Sequence, residues 1–360
     1  MKTLRAYAPV VPAWEVPVRP VFVFGFATLT PIPLLVAAAW LGGGYVLAAC
    51  LALTLLTFLL DECVAFALPE AAPGVEFPTG ERLSLILGLV HLPLLFLGIA
   101  AVAGATGLSG LERAGCLVCL GLYLGQVLFA NAHELIHRTA RLPFALGTLI
   151  YSSACYGHHA TAHRFIHHRY VASSEDPNTA RLGQGFWRFA WQAWTQAFLR
   201  GWEVETKRAK SPLRHAYLAQ IGGALATGAA ATLAFSASGL AAFGLLSFYA
   251  ITQILLADYV QHYGLTRQRL PNGKLEPVSA AHSWNAPHPF SSALLLHAPR
   301  HSDHHVNPQK PFAQLALHQE APMLPASLPA MSTLALFPPL WRKSMDGRAR
   351  AWRSVAIAAE

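Results

Sequence analysis

Charged side chains are scarce in this chain: 12% of 360 residues, against 54% hydrophobic. That is about half the charged share usual in a soluble protein, and too little to cover a water-facing surface. An ordinary soluble enzyme is therefore excluded, and a membrane protein is expected. Cysteine is also sparse. Of the five, Cys116 and Cys119 form a lone C-x-x-C inside an apolar run, alongside Cys50, Cys63 and Cys155. A zinc ribbon or rubredoxin knuckle needs two such pairs, so neither is built into this chain. No flavin or nicotinamide fingerprint and no iron–sulfur cysteine pattern occurs, so any redox chemistry must draw its electrons from another protein. The N-terminus has no short apolar region followed by a small-residue cleavage site, and no cleavable signal peptide is expected.

The chain is instead rich in apolar runs of bilayer length. Six spans are expected, at about 20–41, 45–60, 83–105, 114–132, 216–235 and 240–260. Pro31 and Pro33 should bend the first, and Gly42 to Gly44 should turn the chain tightly into the second. Leu142 to Cys155 is apolar but short, and reads as re-entrant or interfacial. Leu324 to Leu340 is broken by four prolines and reads as lying along the membrane surface. Residues 133–215 and 261–360 hold most of the polar groups, and no internal repeat is evident. The fold class expected is all-α, a single membrane domain under a cap rich in histidine.

A net charge of +8 suggests nucleic acid only where basic residues line a soluble face. Here they flank the apolar runs, so no nucleic acid partner is expected. With six spans and the N-terminus inside, 25 of the 26 Lys and Arg residues fall on the cytoplasmic side and only Arg113 outside. The positive-inside rule prefers that orientation. It also carries every dense histidine group to the cytoplasmic face of a bacterial-type inner (plasma) membrane.

Those groups are where the chemistry concentrates. His133 and His137 stand four apart in His-Glu-Leu-Ile-His. His163, His167 and His168 follow, with His158 and His159 just upstream. His262 stands alone near the end of the last span, and His301, His304 and His305 close the series in Arg-His-Ser-Asp-His-His. Residues three and four apart share a helix face, so the last three imidazoles are expected to converge on one point. Nine ligands are too many for one ion, whereas two ions with four or five each use them all. Imidazole suits Fe, Zn, Cu and Ni, so ligand type alone leaves the metal open. His91, His215 and His318 have no partner in the pattern, and His282, His288 and His297 are ambiguous.

In these stretches the chain resembles the integral-membrane alkane hydroxylase (alkane 1-monooxygenase) family, which includes xylene monooxygenase and is a distant relative of membrane fatty-acyl desaturases. The resemblance runs from roughly the second span to Trp341 and rests on HELIHR, AHRFIHHRYVASSEDPNTARLG, DYVQHYGLTRQRLPNGKLEP, HSWNAP, RHSDHH and PPLWRK. It implies a non-haem di-iron centre held by His133, His137, His163, His167, His168, His262, His301, His304 and His305. It further implies insertion of one atom of O2 into a terminal or benzylic C–H bond of a hydrophobic substrate reached through the bilayer. The electrons would come from a separate rubredoxin or ferredoxin with its NAD(P)H-dependent reductase. Glu134, Asp176 and Asp303 are the carboxylates expected to accept the free N–H of a ligand imidazole and fix its tautomer. On the basic cytoplasmic face, Arg181, Arg188, Arg200, Lys207, Arg208 and Lys210 are the candidates for steering an acidic carrier.

The sequence departs from the family pattern without losing a histidine. Ala162 stands where a Glu is usual and Ile166 where a Gly is; Asp258 and Gln261 replace an Asn and a Glu; Ala298-Pro299 replaces Leu-Gln. These changes bear on substrate class and redox tuning. Three rival readings follow from the same residues. A desaturase or lipid hydroxylase shares the metal logic. A zinc protease would use only His133, Glu134, His137 and one more ligand. A transporter or other non-enzymatic membrane protein would place its polar ligands at mid-bilayer rather than at one face.

Overall fold

The computed structural model describes residues 20–63 and 78–358. The expected N-terminal lead-in with Lys2, Arg5 and Arg19, and most of the loop expected at 61–82, lie outside them. Among the described residues the structure is helical, and the only β contacts are two isolated bridges, Arg269 with Leu275 and Asn285 with Met323.

Five helices are long and apolar enough to cross a membrane: Val21–Leu41, Gly43–Glu62, Gly80–Ala103, Gly110–Ile136 and Ala216–His262. The first breaks at Thr30 where Pro31 starts a new helix, and Gly42 and Gly43 take φ of 64° and 53° to turn into the second. Only glycine enters that left-handed region without a Cβ penalty. The next reversal uses Gly107 at φ 79°, followed by a capping box in which Ser109 and Glu112 satisfy each other's backbone N–H. Glu112 also accepts from the Gly43 N–H at 2.6 Å, tying the two turns together.

The fifth helix is two spans. Phe235 and Ser236 leave helical geometry, with Ser236 at φ 59° and ψ −155°. A Cβ on Gly228 would lie 3.4 Å from Phe243, yet those residues would be about 22 Å apart in a straight helix. The chain therefore folds back, and the arms 216–234 and 237–262 supply the fifth and sixth passes expected from the sequence. Small residues make the close approach possible: a Cβ on Gly239 would sit 2.3 Å from the Ala231 carbonyl oxygen.

Two glycines set the contact between the fourth span and the second arm. A Cβ on Gly125 would meet the Gln253 Cβ at 2.7 Å and the Ala250 carbonyl oxygen at 2.8 Å, and one on Gly121 would meet Tyr249 at 2.6 Å. Gly125 sits in a π-helical stretch, Tyr123–Leu128, whose wide turn presents Gln126 to Gln253 for an interhelical bond of 3.1 Å. Gly125→Leu is expected to push these helices apart and to lower the midpoint of thermal unfolding in micelles. An unchanged midpoint would show that the spans can slide without cost.

The short apolar segment forms helix Arg141–Ser153, wedged among three spans: Gly147 lies against Leu135 and Ala132, Leu146 against Gly88, and Ser152 against Gly223. Cys116 and Cys119 are buried free thiols that face other helices. The proline-broken segment forms helix Leu328–Ala335 and the start of Pro338–Ala358. Rather than forming only a surface strap, it buries Leu328, Met331 and Ala335, and Trp341 packs on Tyr259 and Tyr263.

Candidate metal centre

Four elements bring the histidines to one end of the bundle. The fourth span ends at Ile136 and places His133 and His137; a short helical run over 159–170 places His163, His167 and His168; the second hairpin arm ends on His262; and helix His301–Val306 carries the rest. All nine gather into two groups. His133, His137, His163, His168 and His304 form one, and His167, His262, His301 and His305 form the other; within each, ring nitrogens lie within 4.8 Å of one another.

The division cuts across the sequence motifs. His163–His167 is a π turn, where backbone bonds run to the fifth residue. His163 and His168 therefore face each other, Nε2 to Nε2 at 2.9 Å, and His167 turns to the other group. The three imidazoles of Arg300–His305 likewise do not converge on one point. His305 and His301 pair at 3.0 Å, while His304 reaches across to His168 at 3.1 Å.

These contacts fit cations. His168 Nε2 faces both His163 and His304, and His301 Nε2 faces both His262 and His305, at 2.9 to 3.1 Å. One imidazole nitrogen carries a single proton or a single lone pair, so it cannot satisfy two such neighbours by ordinary hydrogen bonds. Nitrogens about 3 Å apart are what neighbouring ligands at right angles leave when each lies ~2.1 Å from one ion. His137 Nε2 and His167 Nε2 are buried with no hydrogen-bond partner. Burial first, and neighbouring imidazoles second, hold His137, His163, His168, His301, His304 and His305 well below the usual histidine range. At neutral pH they are uncharged lone-pair donors, the form a metal requires.

His167 differs. Burial pushes its pKa down, but the Asp176 charge and hydrogen bond outweigh that and raise it. Asp176 Oδ2 accepts from His167 Nδ1 at 2.8 Å, which turns Nε2 toward the group. The carboxylate is itself held: Thr179 donates to Oδ2 at 2.7 Å and the Asn178 N–H to Oδ1 at 3.1 Å. The other two candidate carboxylates touch none of the nine rings. Glu134 pairs with Arg138 and accepts from the Phe312 N–H at 3.3 Å. Asp303 gathers Lys310 at 2.6 Å, the Ala316 N–H at 2.7 Å and Asn307 at 2.8 Å, and these hydrogen bonds lower its pKa although burial works the other way.

Six of the other eight histidines have structural partners, whereas His158 and His159 each bury an Nε2 with no hydrogen-bond partner. His91 meets Ser153 at 2.9 Å, His215 meets Thr206 at 3.2 Å, and His297 meets the Phe312 carbonyl at 3.0 Å. His282 pairs with Glu276, His288 with Glu62 and His318 with Asp303. Asp258 carries more than motif counting assigned to it. It is buried, accepts from Asn178 Nδ2 at 2.6 Å, and through Asn178 joins the Asp176 cluster. Its departure from the family pattern was the available signal. Gln261, one turn on, donates to the Ala298 carbonyl at 2.9 Å, which occupies its amide where a carboxylate is usual.

A narrow cavity of about 70 Å³ reaches the two groups from between the fourth span and the second arm. Phe129, Ile254, Leu295 and Leu328 supply apolar walls, and among the described residues Asp258 is the only acid lining it. His133 of the first group and His301 of the second both line it.

Comparison with known proteins agrees with this architecture. The fatty acid desaturase family model matches residues 111–335. Alkane 1-monooxygenase 1 of Pseudomonas aeruginosa is 32% identical over 315 residues, 82% of this chain and 80% of that protein. This chain belongs to the alkane 1-monooxygenase family. The alkane 1-monooxygenase of Ectopseudomonas oleovorans is 30% identical over 84% of this chain and 76% of its own. The hydroxylase component of the xylene/toluene monooxygenase of Pseudomonas putida is 28% identical over 64% and 63%. The protein is thus a multi-pass membrane protein and an oxygen-dependent hydroxylase of this family. Neither a stand-alone zinc protease nor a transporter explains two histidine groups on this fold.

Proposed function

We propose that the protein inserts one atom of O2 into a terminal or benzylic C–H bond of a hydrophobic substrate, at two non-haem irons held by the nine histidines. The observation that carries this reading is the cavity that meets one histidine from each group, His133 and His301. The reaction balances as substrate, O2, two electrons and two protons giving alcohol and water. When bound, the irons supply oxygen activation, which no side chain here can provide. When bound, one ion would be held by the five imidazoles of the first group and the other by the four of the second. Asp176 holds the His167 proton at Nδ1 so that Nε2 stays free for a metal.

The apolar wall orients a chain and excludes water, so oxidation falls on the carbon presented between His133 and His301. This half-open space has room for little more than two water volumes at ~30 Å³ each. A longer hydrocarbon therefore extends outward along the spans toward Gln126 and Gln253. Ala257→Phe is expected to block the chain and to reduce turnover of octane by more than tenfold with metal content unchanged. Ile254→Ala should favour a bulkier substrate such as xylene over octane. Product ratios on the two substrates check both; unchanged ratios would place the substrate elsewhere.

The electrons come from a separate rubredoxin or ferredoxin and its NAD(P)H-dependent reductase. Arg181, Arg188, Lys207, Arg208 and Lys210 are exposed and suit an acidic carrier. The histidine-bearing end faces the cytoplasm of a bacterial inner membrane, which the Lys and Arg distribution favours. Elemental analysis with an oxygen-dependent assay on octane and xylene tests the whole reading. About two irons per chain with a hydroxylated product supports it. Zinc without oxygen consumption overturns it, and a desaturated lipid product would keep the site and change the reaction.

A further inference from the structure

The cavity that reaches the histidine groups has a second polar level, set back from them inside the bundle. On the fourth span every residue from Cys119 to Ala132 is buried except Gln126 and Ala130, and both line the cavity. The surface that Gln126 keeps is therefore the surface it turns to that space. Opposite it, Gln253 and Ala257 of the second arm are likewise half-buried and line the same space. Gln126 stands seven residues before His133, two helix turns or roughly 10 Å along the span. The other polar liners besides the two histidines already placed, His133 and His301, are His159, Asp258, Gln261 and Ser332. Asp258 and Gln261, four and one residues before His262, are committed to Asn178 and to the Ala298 carbonyl. His159 stacks on Tyr156, and Ser332 adds a single hydroxyl from helix Leu328–Ala335.

Gln126 donates to Gln253 at 3.1 Å. Whichever way round the two amides are set, that one bond leaves a carbonyl oxygen on one and N–H groups on the other. No water meets them within a bilayer, so the leftover groups cost free energy unless the occupant of the cavity satisfies them. A hydroxyl does so at both ends: its oxygen accepts from an amide N–H, and its proton goes to the amide carbonyl. A hydrocarbon supplies neither partner, and an ester or ether lacks the proton. A carboxylate or ammonium head would need a counter-charge at this level, and the one acid among the described liners, Asp258, stands at the histidine end. Each C–C bond of ~1.5 Å advances an extended chain by somewhat less than its own length, so about eight carbons cover the two turns.

We propose that Gln126 and Gln253 bind the hydroxyl of a medium-chain primary alcohol, whose methyl end then lies between His133 and His301. The consequence for the reaction rests on the oxygenase reading above. The alcohol, O2, two electrons and two protons give an α,ω-diol and water: a C–H bond of the methyl carbon breaks, a C–O bond forms there, and the second oxygen atom leaves as water. The alcohol made from an alkane in one turnover is thus a substrate for another, bound the other way round.

1-Octanol and nonane match in length and differ only in a terminal hydroxyl against a methyl, which isolates the glutamine contact. Both are offered at equal mole fraction to the metal-loaded protein in phosphatidylcholine nanodiscs, with an electron carrier, its reductase and NAD(P)H. In the parent, 1,8-octanediol should exceed nonanol by about tenfold. Gln126→Met combined with Gln253→Met keeps the bulk, removes both amides and should bring that ratio to about one or below. Photolabelling with 3-azi-1-octanol, whose reactive carbon lies close to the hydroxyl, reads the site without turnover. It should mark the segments around Gln126 and Gln253 in the parent and lose that labelling in the double variant. Labelling there without any oxidised product keeps the hydroxyl site and overturns the oxygenase reading alone. Labelling confined to the histidine end, labelling that survives in the double variant, or nonanol equal to or above the diol in the parent overturns the proposal.

Discussion

His301→Ala is expected to lose bound metal and oxygenase activity together, with activity below about 1% of the parent. Removing a group that merely supports a metal-bound histidine already costs about 10–100-fold, and removing the ligand itself costs more. His301 is central to its group: its Nε2 lies 3.0 Å from both His262 and His305, and it also lines the cavity between the fourth span and the second arm. Without it, His167, His262 and His305 remain as three buried imidazoles around a space. The variant should still insert in the membrane, because helix His301–Val306 is also anchored by Ser302, which exchanges hydrogen bonds with Asn285 at 2.7 and 3.0 Å. Metal analysis on the purified, monodisperse variant checks this. Full activity would remove the two-group reading, and metal content falling by half would show that the five-histidine group binds on its own.

Asp176→Asn should lower metal affinity and turnover by about 10–100-fold while leaving the fold in place. The substitution keeps the shape and preserves an acceptor for Thr179, but it removes the charge that holds the proton on His167 Nδ1. The opposite tautomer then puts the proton on Nε2, where the lone pair is needed. Asp303→Asn is the contrasting case. That carboxylate gathers Lys310, Asn307 and the Ala316 N–H and touches no ligand ring, so its loss should lower thermal stability and spare the metal affinity of what folds. Metal titration with a chelator, run beside thermal unfolding, separates the two. If both variants lose affinity equally, the Asp176–His167 bond has no special part in orienting the ring.

Much of this molecule was legible in the sequence because bilayer solubility imposes a coarse and strong signal. Runs of apolar residues about 20 long must form helices whose backbone groups bond internally, so six passes followed from composition and length. The nine histidines were legible for a related reason. An imidazole in an apolar chain needs a partner, and four groups on one face of the membrane, one of them the single His262, cannot all be satisfied by chance. The carboxylates were harder. Asp176, Glu134 and Asp303 each stand within nine residues of one of the nine gathered histidines, yet of the three only Asp176 reaches one of those rings. Neighbourhood along the chain does not tell which way a side chain turns. Asp258, four residues before His262, became visible as part of the network only when Asn178, 80 positions away, was seen to bridge it to Asp176.

The sequence by itself determined the solvent of this protein, the number of its passes and the identity of the imidazoles that gather at one end. Only the tertiary structure decided how those imidazoles divide. A 3.6-residue period puts His163 with His167 and joins all three rings of the Arg300–His305 stretch. The π turn over His163–His167 puts His163 with His168 instead, and helix His301–Val306 lies between the two groups so that His304 faces one and His301 and His305 the other. Helical periodicity is a local property and fixes which residues share a face. Which ion a face serves depends on what packs opposite it, and that is settled by contacts between elements more than a hundred residues apart.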